Sequence, residues 1–225
     1  MKKLTYLLLA ALVAVSLTAC GGGQETSGGA KVKGTQTVAA EGVDTTEQQP
    51  LVVDKEAKTV KVFAKLNGKY TVEPTRHGLN FHEGKYGGQA LFTSYANQAN
   101  FHDALMAIGA EAGNNLTPDT AGQTIEGSVL DVTISWEGAP KEYKMTELVL
   151  DSTGKPIEYK FGGNHARSID AFTGCLACFD SCPVGITSNH HQHQGAFADK
   201  EVEFIGNKDV LPADGTPVIV TFKLL

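Results

Sequence analysis

The chain has 225 residues, a formal charge of −6 and an apolar share of 41%, enough for one substantial core. Its charges are acidic on balance and dispersed, so it carries no electrostatic footprint for nucleic acid.

The first twenty residues read as an address label. Met1-Lys-Lys3 is a positive n-region, Leu7 to Val15 an apolar h-region, and Leu17-Thr-Ala-Cys20 a cleavage site. The stretch is too short and wrongly flanked for a spanning helix. Leu-Thr-Ala-Cys resembles the lipobox of bacterial lipoproteins, a family in which the Cys becomes the lipidated N-terminus; here that is Cys20. The expected location is extracytoplasmic, with the lipid on Cys20 anchoring the chain to a bacterial membrane, cell membrane or outer membrane. Removal of residues 1–19 takes Lys2 and Lys3 with it, and the charge goes from −6 to −6 − 2 = −8. Residues 20–49, rich in Gly, Ser, Thr and Gln, read as a flexible linker; as a random coil it would span roughly 30 Å.

Residues 50–225 read as one domain without repeats. Val60, Val62, Ala64 and Leu66 alternate with Thr59, Lys61, Phe63 and Lys65, the period of a half-buried strand. Asn67-Gly68 predicts a hairpin turn into a strand over 69–73. Leu130, Val132, Ile134 and Trp136 alternate likewise, and a turn at Glu137-Gly138 leads to a second run through Tyr143 and Met145. Val218, Val220, Phe222 and Leu224 predict a terminal strand that docks the C-terminus into the sheet. A single helix is predicted at about 98–110, with Phe101, Leu105 and Ile108 on one face, Asn97 as cap and Gly109 or Gly113 as stop. Many strands and one helix give an α+β, mainly β class: a single antiparallel-sheet-rich domain.

The chemistry gathers in Thr173-Gly-Cys-Leu-Ala-Cys-Phe-Asp-Ser-Cys-Pro-Val-Gly-Ile-Thr-Ser-Asn189, which holds Cys175, Cys178 and Cys182, every cysteine except Cys20. His190, His191 and His193 follow and offer imidazole ligands. With Thr71-Val-Glu-Pro-Thr-Arg-His-Gly78, Gly109-Ala-Glu-Ala-Gly-Asn-Asn-Leu116, Phe161-Gly-Gly-Asn164 and Leu211-Pro-Ala-Asp-Gly-Thr-Pro217, this segment resembles the YdjY-like domain, a family of exported bacterial proteins also labelled 4Fe-4S ferredoxin-like. The resemblance runs from about Val60 to Leu225. It implies one domain, export, and an iron–sulfur or other metal role. His190-His-Gln-His193 departs from the family pattern.

Several readings of the cysteines stand side by side. C-x2-C-x3-C-P lacks one cysteine of a ferredoxin run, so a 4Fe-4S cluster on Cys175, Cys178 and Cys182 would need His190, His191, His193 or solvent for its last iron. Zn or Cu(I) would suit three thiolates plus one imidazole. Without metal, the same cysteines make a thiol–disulfide redox protein, or one structural disulfide with a spare thiol. Arg76, His77 and His82 occupy a Gly-rich stretch where His77 is a weaker candidate base or ligand. His102 reads as a packing residue and His165 as a loop residue. No nucleophile elbow, zincin helix or dinucleotide fingerprint occurs. The leading reading is thus a metal- or cluster-binding lipoprotein with a redox or electron-transfer role and a redox protein partner, rather than an enzyme with its own organic substrate. The competing reading is a non-catalytic surface interaction module.

Overall fold

The computed structural model describes residues 45–225; the leader, Cys20 and most of the linker lie outside the described residues. Strands β1 (Leu51–Asp54), β2 (Thr59–Leu66), β3 (His77–Phe81) and β4 (Ala90–Ser94) precede helix α1 (Gln98–Ala107). Strands β5 (Val129–Trp136) and β6 (Tyr143–Lys144), short helix α2 (Met145–Leu148), β7 (Val149–Asp151) and β8 (Tyr159–Phe161) come next. Helix α3 (His165–Ala171), β9 (Cys175–Cys178), β10 (Thr187–Asn189), β11 (Phe204–Gly206) and β12 (Pro217–Leu224) complete the chain.

The fold is mostly β, and its main sheet closes on itself. The path β2-β12-β5-β8-β10-β9-β3-β4 returns to β2 through the β2–β4 pairing, giving an eight-stranded barrel. β1 and β6 hang on the outside of that ring, against β2 and β5, while β7 and β11 pair separately. Closure leaves the ring no edge of its own. The alternating positions fill the core: Val62, Val220 and Ile134 stand opposite one another across β2, β12 and β5, as do Val60, Phe222 and Val132, all buried. Each such side chain contributes about 1.5–3 kcal/mol by leaving water.

The barrel is not purely antiparallel. β3–β4 and β9–β10 are parallel. The second of these is joined only by residues 179–186, shorter than the dozen or more residues usual for a parallel crossover.

Several local expectations change. Asn67-Gly68 opens no hairpin; a 3-10 turn, Gly68–Thr71, follows it. One side of β2 pairs with β12 along its length, and the other side is divided between β1 at Thr59–Val62 and β4 at Ala64–Leu66, so no side is left for a hairpin partner. The predicted helix is present with Asn97 Oδ1 accepting from the Asn100 N–H at 2.8 Å, but it ends earlier, at Ala107, before Gly109 with φ +90. Two further α-helices, α2 and α3, accompany it; His165 opens α3 rather than lying in a loop. At the domain's start, in the stretch read as linker, Glu47 pairs with Lys65 at 2.8 Å.

Phe222 is fully buried and its ring meets Phe101 of α1 at 4.8 Å, tying the helix to the barrel wall. Phe222→Ala is expected to destabilise the protein by about 3–5 kcal/mol through transfer and cavity terms, read as a lower denaturant midpoint with an unchanged slope.

Candidate metal centre

Cys175 and Cys178 are three residues apart on β9, a spacing that puts side chains on opposite faces of a regular strand. The ladder between β9 and β3 is irregular: His77 pairs with Cys178, Leu79 with Ala177 and Asn80 with Cys175, with register shifts between them. Such irregularities re-aim side chains, and here both thiols reach the same cluster. Cys182, in the loop 179–186, completes it. All three are free thiols and buried, at 1%, 0% and 4% exposure, with Val184 packed against them.

Gly185 is the point of closest approach between loop and thiols. A Cβ there would lie 3.0 Å from Cys178 Sγ and 3.3 Å from both Cys182 Cβ and Ser188 Oγ. A Cβ there would be tighter than ordinary contact, so glycine suits the position where the loop lies down on the sulfurs.

The loop is strapped from outside. Asn164 Nδ2 donates to the carbonyls of Cys182 (3.1 Å) and Gly185 (2.9 Å). Arg167 Nε donates to the Pro183 carbonyl at 2.9 Å, and Arg167 also reaches Asn164 Oδ1 and the Leu116 carbonyl. Asn164 adopts a left-handed backbone, φ 51, and its N–H donates to Asn114 Oδ1 at 3.0 Å. The Gly-Gly-Asn and Gly-Asn-Asn segments quoted from the sequence therefore serve the cysteine loop. Neither reads as a ligand, and their signal was only a polar side chain beside conformationally permissive glycines.

The imidazole next to the thiols is His77. Its Nδ1 lies 3.5 Å from Cys175 Sγ, and His77, Cys175 and Cys178 present ligand atoms all within 4.8 Å of one another. The ring is half-buried and stacks on Tyr86 at 5.4 Å. Cys178 is within hydrogen-bonding reach of both Cys175 and Cys182. That contact with Cys178, and then His77, holds the Cys175 thiol well below its ordinary range despite burial. Cys178, between the other two sulfurs and without solvent, is pushed well above it.

Arg76 supplies the compensating charge. Its guanidinium grips Asp180 Oδ1 through Nε (3.0 Å) and Nη2 (2.7 Å). Burial works to lower its pKa, but Asp180, Cys182 and Cys178 outweigh burial and raise it. Burial pushes the fully enclosed Asp180 carboxyl up, while Arg76 and the Phe197 N–H pull it down. Two buried hydroxyls beside the thiols, Tyr159 Oη and Ser188 Oγ, have no hydrogen-bond partner; burial and then Cys178 raise the Tyr159 pKa.

The other histidines gather elsewhere. His190 and His191 point Nε2 at Glu158, His193 Nε2 lies 2.7 Å from Glu201 Oε2, and His102 faces His165 and Asp103. Burial, with His191 and Lys160, lowers the His190 pKa, whereas the Gln194 carbonyl and Glu201 raise that of His193.

Comparison with known proteins adds a family. The model of the YdjY domain matches residues 51–223. The chain is 44% identical over 178 residues to the uncharacterized protein YdjY of Escherichia coli (strain K12), covering 78% of this chain and 79% of that protein. No solved structure matches the chain.

Because His77 helps to lower the Cys175 pKa, His77→Ala is expected to move thiolate formation in the metal-free protein to higher pH. Ultraviolet thiolate absorbance against pH is the measurement, and an unchanged titration would exclude the contact.

Proposed function

The chain belongs to the YdjY domain family, and on that footing we propose that it is an extracytoplasmic lipoprotein whose barrel holds a soft metal ion between Cys175, Cys178, Cys182 and His77. The observation that carries this reading is a cluster of three buried thiols, with Cys178 in reach of both Cys175 and Cys182, beside one imidazole. Three thiolates and a histidine are an ordinary tetrahedral donor set for Zn(II), and thiolates equally suit Cu(I).

The close approach of Cys175, Cys178 and His77 favours one ion over a cluster. With metal–sulfur bonds near 2.3 Å, two thiolates on one tetrahedral ion stand about 3.8 Å apart, in keeping with His77, Cys175 and Cys178, whose ligand atoms lie within 4.8 Å of one another, and with Cys182 reached through Cys178. In a 4Fe-4S cluster the thiolates sit on different irons and are spread farther apart. Three bound thiolates also leave excess negative charge, which Arg76 offsets. Tyr159 and Ser188 supply unspent hydroxyl donors for metal-bound sulfur, the kind of outer contact that tunes such sites.

Burial argues against exchange of these thiols with a protein substrate, since reactive cysteines are usually partly exposed. The half-buried His77 is the ligand nearest solvent and the natural approach for a redox partner. A redox role follows if the resident ion is copper or iron, and not if it is zinc. The lipid anchor at Cys20 belongs to this proposal on the strength of the lipobox. Among the described residues, no helix is long and apolar enough to cross a membrane.

Full-length protein, extracted in detergent without oxygen, is expected to contain one thiolate-bound zinc or copper ion per chain and no acid-labile sulfide. Cys178→Ser should empty the site while the fluorescence of Trp136, stacked on Tyr143, stays native-like. Iron with equal sulfide would replace the single ion by a cluster, and a Cys178→Ser protein that keeps as many metal ions per chain as the wild type would sink the ligand assignment. For the anchor, labelled fatty acid should enter the wild-type protein and not Cys20→Ser; label in both would refute lipidation at Cys20.

A further inference from the structure

The sequence offers His190 and His191 as ligands for the thiol centre, but the fold gives them a carboxylate of their own. His190 Nε2 and His191 Nε2 lie 3.5 Å and 3.1 Å from the same oxygen, Glu158 Oε2. The two rings are 4.1 Å apart between centroids, and the three ligand atoms all fall within 4.8 Å of one another.

We propose that Glu158, His190 and His191 form a second metal site, separate from the thiols, which takes a borderline divalent first-row cation such as Zn(II). The contact at His191 is the telling one. Its Nε2 is sealed from solvent and makes no hydrogen bond, although a carboxylate oxygen stands at 3.1 Å. The distance suits a hydrogen bond and the direction does not. Ligands of one ion have that relation, because their lone pairs aim at a common third point rather than at each other. The spacing agrees: bonds of about 2.0–2.2 Å to nitrogen and oxygen put tetrahedral neighbours roughly 3.4 Å apart.

The backbone beneath the site is already fixed. Asn189, fully buried on β10, accepts through Oδ1 from the N–H groups of Glu158 (3.2 Å) and His191 (3.1 Å). Its Nδ2 donates to the Phe179 carbonyl at 3.0 Å, and the His190 N–H donates to the Glu158 carbonyl at 3.0 Å. One buried amide thus positions two of the three ligands, and the antiparallel Tyr159–Asn189 pairing sets the third beside them. Two imidazoles and a carboxylate select a borderline cation and leave coordination positions for water or another ligand. Glu158 also lines an open groove of about 460 Å³ with Leu130, Met145 and Ile157, so there is room beside it. His193, engaged with Glu201 and the Gln194 carbonyl, is outside the set.

Co(II), a spectroscopic stand-in for Zn(II), can be titrated into the full-length protein in detergent under reducing conditions. Two ions are expected, only one of them giving a sulfur-to-cobalt charge-transfer band. His191→Ala and Glu158→Gln, checked for native circular dichroism, should weaken the thiolate-free ion by at least about tenfold and leave the band unchanged. Cys178→Ser should do the reverse. Uptake of the thiolate-linked ion alone, or a second ion indifferent to both His191→Ala and Glu158→Gln, overturns the proposal. If the band is missing from the wild type while uptake dependent on His191 and Glu158 persists, this site stands and the thiol centre falls.

Discussion

A parallel pairing joined by too little chain governs this structure. β9 and β10 run the same way with only residues 179–186 between them, so the connection cannot travel over the surface as a helical crossover would. It folds back over the strand it has just left. Cys182 is carried onto the thiols of β9, Gly185 comes down against Cys178, and carbonyls of the loop are taken up by Asn164, Arg167 and Asn189. Buried polar groups require partners, and this loop obtains them from side chains that flank it at the start of α3 and on β10. The dependence runs in one direction: the thiol cluster is a product of the short connection, not the device that holds it.

Electrostatics close the same region from the other side. A buried carboxylate is costly unless paired and hydrogen-bonded; Asp180 is paired with Arg76, and Arg76 in turn faces Cys178 and Cys182. Removing the arginine would strand the carboxylate and deprive Cys178 and Cys182 of a positive charge. One side chain therefore serves both the stability of the loop and the charge state of the sulfurs, and neither part can be altered without the other.

Much of the barrel is legible in the sequence because the core strands obey a period of two. β2, β5 and β12 bury one face, and Val62, Ile134 and Val220 alternate where they should. The helix is legible through Asn97 and the spacing of Phe101 and Leu105. Closure is not, because a pattern of inward residues looks alike in an open sheet and a ring. The strand expected after Asn67-Gly68 shows the same limit: turn chemistry is local, while the availability of an edge on β2 depends on β1, β4 and β12. At the site, the cysteines announce themselves by spacing. His77 does not, since it lies almost a hundred residues away, and proximity in sequence points instead to His190 and His191. Those residues are drawn to Glu158 by Asn189, a contact between β8 and β10 that no local pattern encodes.

β12 has a consequence for how the molecule is completed. The last strand of the chain is no edge strand but sits between β2 and β5, one of the first strands and one from the middle. The ring is open along that seam until β12 is in place. Contacts of such long sequence separation are slow to form, because loop entropy is lost before they are made. Without β12 both β2 and β5 would present an unpaired side, so this strand acts as the stave that seals the cask.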